Sequence, residues 1–335
     1  MALTKVTNSL LATPPDDSGV QDDIALLGFK VASNGSLAKY NLVDQTVDDF
    51  QDASGVDASA STNELRNASN YYEGVAITTP SVTSNHDSTG TDGDYTWYKW
   101  TTVTASGSYV NDTTQDHTYL VVGGGGSGGT QWSGNNNAPG GGGAGGMITN
   151  HGVGSAQSLT ASTTYTIVVG AGGAAEPGTS GLAHGHVGVA SSIAGSGLTT
   201  VTGDGGGYGA AGAGSPTGGG DGGSGGGGGA GDPKGDATQG NIGAGTGYGY
   251  DGGAGGTPAH GGGGGGAGQV GDAGGTNYGK GGDGLANSIT GASVIYAAGA
   301  GGGGSAGSVP GGAGGSSGVG GTGGDRQVNN ATAGD

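Results

Sequence analysis

The chain has no cysteine, so disulfides and thiolate metal ligands are excluded. Cations are nearly as scarce: eight Lys and Arg stand against 26 Asp and Glu, a formal net charge of −18. A chain so short of positive charge lacks the basic face that nucleic-acid phosphates require. It is equally unsuited to anionic membrane surfaces. No apolar run approaches the roughly 20 residues of a membrane span, so membrane insertion is not expected. Residues 1–20 (MALTKVTNSLLATPPDDSGV) lack the charged start, apolar stretch and cleavage site of a signal peptide. Export, if it occurs, is expected by another route, such as release on lysis. Aromatic residues make up 5% of the chain, too few to fill the two or three ordinary cores that 335 residues suit.

What is abundant is glycine. There are 91, and only Gly19, Gly28, Gly35, Gly55, Gly74, Gly90, Gly93 and Gly107 precede Gly123. Collagen needs glycine at every third position, whereas PGGGGAGG (Pro139 to Gly146) and GGGDGGSGGGGGAG (Gly218 to Gly231) have no strict period. Disordered chains usually carry high charge, yet Lys234, Lys280 and Arg326 are the only Lys or Arg after residue 122. A near-neutral glycine stretch is as able to condense on itself as to swell.

Three segments follow from the pattern. Residues 1–75 read as an attachment or oligomerisation segment with short N-terminal helices: Ile24 to Ala32 behind Asp22-Asp23, a stripe of Leu42, Val43, Val47 and Phe50, and a third stripe of Leu65, Ala68 and Tyr72. These stripes are too thin for a self-contained core. Residues 76–122 read as a small β platform, with VAITT (Val75 to Thr79), YTWYKWTTV (Tyr95 to Val103), GSYV (Gly107 to Val110) and HTYLVV (His117 to Val122) divided by turn clusters. Residues 123–335 form a glycine-rich domain with strands near 163–170 and 289–298. Apolar strands run straight into glycine at Val122, Val169 and Ala298. The fold class is therefore mainly β and irregular.

Long glycine runs suit an extended helix with three residues per turn and a rise of about 3.1 Å per residue. Without Cβ atoms such helices pack closely, and backbone N–H and C=O groups pair between neighbours. Ordering glycine is entropically expensive, so a cooperative array anchored by the apolar strands is needed. The segments between runs then become loops at the two ends of a slab.

Catalytic motifs do not assemble. GGTNYGKG (Gly274 to Gly281) resembles a phosphate loop but has Gly281 where Ser or Thr must hold magnesium. His184-Gly185-His186, His151 and His260 lack a carboxylate partner pattern for a metal. GGDGL (Gly281 to Leu285) matches a calcium-binding repeat once and out of pattern. No GxSxG elbow sits between strand and helix, and Glu64, Glu73 and Glu176, the only glutamates, form no glycosidase pair. The chain is not expected to be an enzyme or to carry a cofactor. Aromatic and amide residues are the binding candidates: Trp132, Asn136, Tyr208, Tyr248, Tyr250, Tyr278 and Tyr296. Tyr and Trp stack on apolar sugar faces, and paratopes use the same mixture of Tyr, Ser, Gly and Asn. The structural alternative is that these rings cover the edges of the glycine slab.

YLVVGGGGSGG (Tyr119 to Gly129), PGGGGAGG (Pro139 to Gly146) and TYTIVVGAGG (Thr164 to Gly173), in this order, resemble the glycine-rich domains of bacteriophage tail fibres, over about residues 115–325. In the adhesins of T-even-like phages such stretches form a sandwich of polyglycine-II helices whose tip loops touch the bacterial receptor. The opening MALTKVTNSLLATP looks like a fibre start. The ending GTGGDRQVNNATAGD (Gly321 to Asp335) departs from the family in lacking a closing strand, and no receptor-contacting position transfers residue by residue. The resemblance implies a structural virion protein, a tail fibre or fibre-tip adhesin. Its partners would be a bacterial cell-surface glycan or outer-membrane protein, other virion tail proteins and further copies of itself, with a trimer as the natural guess. It would be found in the virion and, after host lysis, outside the cell. The alternative is a cellular, extracellular silk-like matrix or filament protein without a receptor; a disordered linker fits the recurring strand-to-glycine joins less well.

Overall fold

The computed structural model describes residues 2–7, 29–31, 37–40, 47–48, 64–67, 70–73, 81–93, 95–131, 138–177, 182–212, 218–275, 277–304, 311–316 and 319–323. Residues 1–7 and 82–335 form one compact unit and residues 8–81 a second. No α-helix occurs among the described residues, and the strand pairs within the sheets are all antiparallel.

β1 (Ala2–Thr7) belongs to the larger unit. In the second unit β2 (Phe29–Val31), β3 (Leu37–Tyr40) and β4 (Val47–Asp48) form one small sheet, and β5 (Glu64–Asn67) and β6 (Asn70–Glu73) form a hairpin. The expected N-terminal helices fall largely on residues outside the described set. So does the expected strand Val75 to Thr79.

The larger unit continues with β7 (Val82–Ser84), β8 (Ser88–Asp92), β9 (Tyr95–Trp100), β10 (Thr104–Asn111), β11 (Gln115–Val122), β12 (Met147–Thr149), β13 (Gln157–Leu159), β14 (Tyr165–Val169), β15 (Ser191–Gly195), β16 (Leu198–Gly203), β17 (Thr246–Tyr248), β18 (Leu285–Asn287) and β19 (Val294–Tyr296). A seven-stranded sheet runs β17-β12-β11-β1-β9-β8, with β13 also on β11. A five-stranded sheet runs β16-β15-β14-β10-β7. β1 fills the slot between β9 and β11, with Thr4 opposite both Tyr98 and Tyr119.

The period-2 alternation of β11 makes the larger sheet two-sided. Tyr119 and Val121 join Trp100, Tyr109, Ile148, Tyr165, Ile167, Ile193 and Val201 in a core shared with the five-stranded sheet. Leu120 and Val122 face the other way, meeting Met147, Trp97, Tyr248, Leu285, Ile289, Tyr296 and Ala267. Ala267 belongs to a glycine run, so β11 joins the sandwich to the glycine region by packing as well as by chain continuity.

Strand register passes into the glycines without a break. Val122 pairs with Met147; beyond that pair Gly123, Gly126 and Gly129 N–H donate to Gly146, Gly143 and Gly140 C=O at 3.0, 2.8 and 3.1 Å. Ser191 pairs with Gly203, and Gly188 and Gly185 then donate to Gly206 and Gly209. Leu285 pairs with Tyr296, and Gly299 and Gly302 then donate to Gly282 and Gly279. The repeat along each run is three residues, so successive residues of one run bond to different neighbours.

The run 261–268 shows the consequence. Gly262 and Gly265 donate to Gly228 and Gly225, Gly263 and Gly266 to Asp272 and Gln269, and Gly264 and Ala267 to Ala300 and Ala297. Its carbonyls accept from three further segments: Gly262 and Gly265 from Gly141 and Ala144, Gly263 and Gly266 from Gly253 and Tyr250, and Gly261 and Gly264 from Gly279 and Gly282. One buried segment is thus bonded to six others. This packing needs glycine: a Cβ on Gly264 would lie 2.0 Å from the Gly142 oxygen, and one on Gly263 2.0 Å from the Lys280 oxygen.

Candidate functional site: the loop end of the glycine region

The runs leave the sandwich together and turn back at a common far end. Thr130 N–H reaches Ala183 C=O, and Gly212 N–H reaches Thr130 C=O. Ala230 donates to Ala138, Gly255 to Asp232, Gly256 to His260, Gly274 to Ala254 and Gly303 to Pro139. The run ends near residues 130, 183, 212, 230, 255, 274 and 303 are therefore held side by side by backbone bonds.

Two histidine–tyrosine pairs stand there. His184 meets Tyr208 edge-on at a centroid distance of 5.2 Å, and the Tyr208 ring covers Gly220, whose Cβ would come within 2.3 Å of it. His184 Nδ1 accepts from Ala211 N–H at 3.2 Å, which leaves Nε2 as the protonated nitrogen of the neutral ring. His260 meets Tyr278 at 5.2 Å. Nearby, His186 Nε2 pairs with Glu176 Oε1 at 2.5 Å. Burial pushes the Asp232 carboxyl up from the usual carboxylate range, opposed by the field of His184.

Buried polar atoms are normally hydrogen-bonded. At this end Gln131 Oε1, Asp232 Oδ2 and His260 Nδ1 are shielded from solvent and have no partner among the described residues. The arrangement is a cluster of aromatic rings and shielded polar atoms on a hydrogen-bonded backbone floor, a geometry that offers stacking and hydrogen bonding to a ligand. Among the described residues no group of three or more His, Asp or Glu can hold a metal ion, and no helix is long and apolar enough to cross a membrane.

The sequence candidates divide. Tyr208 and Tyr278 sit at the loop end. Tyr248 and Tyr296 pack against the Leu120–Met147 cluster beside the sandwich, where burial raises the Tyr296 hydroxyl pKa. Tyr250 is 43% exposed, and its N–H and C=O bond to Gly266 and Gly225. Trp132 and Asn136 lie outside the described residues. The pairing of Tyr208 and Tyr278 with histidines was not read from the sequence, because each partner belongs to a different run.

The architecture is a β-sandwich whose strands extend into a backbone-bonded glycine array ending in loops. Residues 101–335 match the model of a family described as a glycine-rich domain, and the chain belongs to that family. No curated protein and no solved structure matches it.

Proposed function

We propose that this is a non-enzymatic structural virion protein, a phage tail fibre or fibre-tip adhesin, whose loop end recognises a bacterial surface receptor. In this reading the glycine runs are polyglycine-II helices; their three-residue bonding repeat and the six-neighbour packing of 261–268 support it. The observation that carries the reading is the gathering of separate loops, two His–Tyr pairs and three unpartnered polar atoms at one end of that array. A surface glycan or an outer-membrane protein is the receptor chemistry such a surface fits, and several weak contacts multiplied by copy number give avidity. With β1 built into the larger unit's sheet, residues 8–75 then serve attachment to other tail proteins or trimer formation.

The test is binding of the labelled full chain to a panel of bacterial cells. Binding that falls about 3–10-fold in both Tyr208→Ala and Tyr278→Ala, each removing a stacking group worth about 0.5–1.5 kcal/mol, while Tyr95→Ala binds as before, supports the loop end as the receptor surface. Absence of binding to every strain, or equal loss in all three variants, counts against the adhesin role.

A further inference from the structure

Asp232–Pro233 is the only Asp–Pro bond in the chain. An aspartate carboxyl can attack the carbonyl carbon of its own residue through a five-membered ring, and the proline nitrogen is the most basic leaving group a peptide offers. What usually limits the reaction is orientation and charge on the carbonyl oxygen. Here the fold addresses both. Gly231, at φ +80°, makes the turn that presents Asp232, a backbone conformation glycine adopts freely. Asp232 N–H is held by Gly229 C=O at 2.8 Å, and the carbonyl of the Asp–Pro bond accepts the Gly255 N–H at 2.9 Å, a fixed donor on the oxygen where negative charge develops. Asp232 Oδ2 is shielded and has no hydrogen-bond partner among the described residues, so this oxygen gives up no bond to them when it turns on the carbonyl. The segments against it contribute few charges: runs 224–230 and 252–256 carry none, and His184 is the titratable side chain whose field reaches the carboxyl. Lys234 is engaged elsewhere, by Asp236 at 2.5 Å and Asp251 at 2.7 Å.

We propose that the folded protein cleaves its own Asp232–Pro233 bond in mild acid. A carboxylate oxygen of Asp232 forms a bond to the Asp232 carbonyl carbon. The C–N bond breaks, its electron pair stays on the Pro233 nitrogen, and that nitrogen takes a proton from solvent acid. The product is a cyclic anhydride of Asp232 and a new N-terminal proline. One water molecule then opens the anhydride, leaving Asp232 with a free α-carboxylate and its side-chain carboxylate. Nothing is oxidised or reduced. The two pieces stay docked, because Gly219 N–H holds Pro233 C=O at 3.0 Å and Gly235 N–H holds Gly226 C=O at 2.8 Å.

The test is incubation of the full chain at pH 4.5 and at pH 7.5, read by denaturing gel and intact mass. A peptide spanning residues 228–238 in the same buffers gives the rate without the fold. Fragments of residues 1–232 and 233–335, appearing in acid at least ~10-fold faster than peptide scission, are the expected result. Asp232→Glu keeps the charge but enlarges the ring, and is expected to lose the fold-assisted rate while its circular dichroism matches the parent. A native chain cut no faster than the peptide, or Asp232→Glu cut as fast as the parent, overturns the proposal.

Discussion

The hydroxyl of Tyr109 donates to Nε2 of His117 at 2.7 Å inside the sandwich. Nδ1 of the same ring lies 2.9 Å from the Gln115 carbonyl, which only an N–H can satisfy. The tautomer is thereby fixed: Nδ1 carries the proton and Nε2 accepts. A second proton on Nε2 would face the Tyr109 hydroxyl in an apolar core.

Burial accordingly lowers the His117 pKa from 6.5 to about 4. Because the folded value is the lower one, the unfolded chain binds the extra proton first. Stability is full above pH 6.5, falls as pH drops through the window to about 4, and levels below it. A shift of this size corresponds to about 3 kcal/mol. Urea denaturation at pH 7.5, 5.5 and 4 should show the decline, and His117→Gln should remove most of that slope; an unchanged slope in the variant would place the acid sensitivity elsewhere.

Alanine in the glycine array should act according to position. Gly264→Ala puts a Cβ 2.0 Å from the Gly142 oxygen, and two backbones must part to admit it. We expect a loss of at least ~3 kcal/mol, at the severe end of overpacking. At Gly125 the nearest atom to a Cβ is 3.6 Å away, and the lower chain entropy of the unfolded alanine variant should make Gly125→Ala neutral or stabilising by up to ~1 kcal/mol. Paired melting curves check both; equal effects would contradict the direct backbone packing.

Amide exchange should carry the three-residue repeat. In residues 123–130, Gly123, Gly124, Gly126, Ser127, Gly129 and Thr130 donate to backbone carbonyls, whereas Gly125 and Gly128 make no such bond and are exposed. Residue-resolved NMR exchange should find two fast amides three positions apart among slow ones. Uniform exchange along the run would exclude this bonding pattern.

Leu120 tests the join between sandwich and array. It is fully buried with Met147, Ala267 and Ile289. Leu120→Ala should cost about 2–5 kcal/mol. Because it lies where strand becomes glycine run, it should also accelerate exchange at Gly264 and Ala267; a stability loss with exchange there unchanged would mean the two parts unfold separately.

The strand-to-glycine joins were legible because valine and isoleucine alternation stops where glycine begins, as at Val122 and Val169. Strands expected at Tyr95, Gly107, His117 and Thr164 correspond to β9, β10, β11 and β14. The β15–β16 hairpin is not among the expected strands: SSIAGSGLTTV has few large apolar residues, and its turn carries Gly197 at φ +79° in a part of the chain where glycine is common. The place of β1 between β9 and β11 has no local signature, since register is set by two strands some hundred residues away. At the loop end the same limit applies. Tyrosines among glycines can be found by eye, but nothing local separates Tyr208, lying over Gly220, from Tyr296, packed beside Leu120.

The six-neighbour bonding of run 261–268 also sets a rule for length. With three residues per turn, adding one residue rotates everything after it by a third of a turn. Amides aimed at the carbonyls of 225 and 228 would then aim at those of 269 and 272. Insertions and deletions within the runs can be absorbed only in threes, while the turns between them are free to change by any number. Length variation among related chains should therefore be quantised inside the array and continuous at its ends.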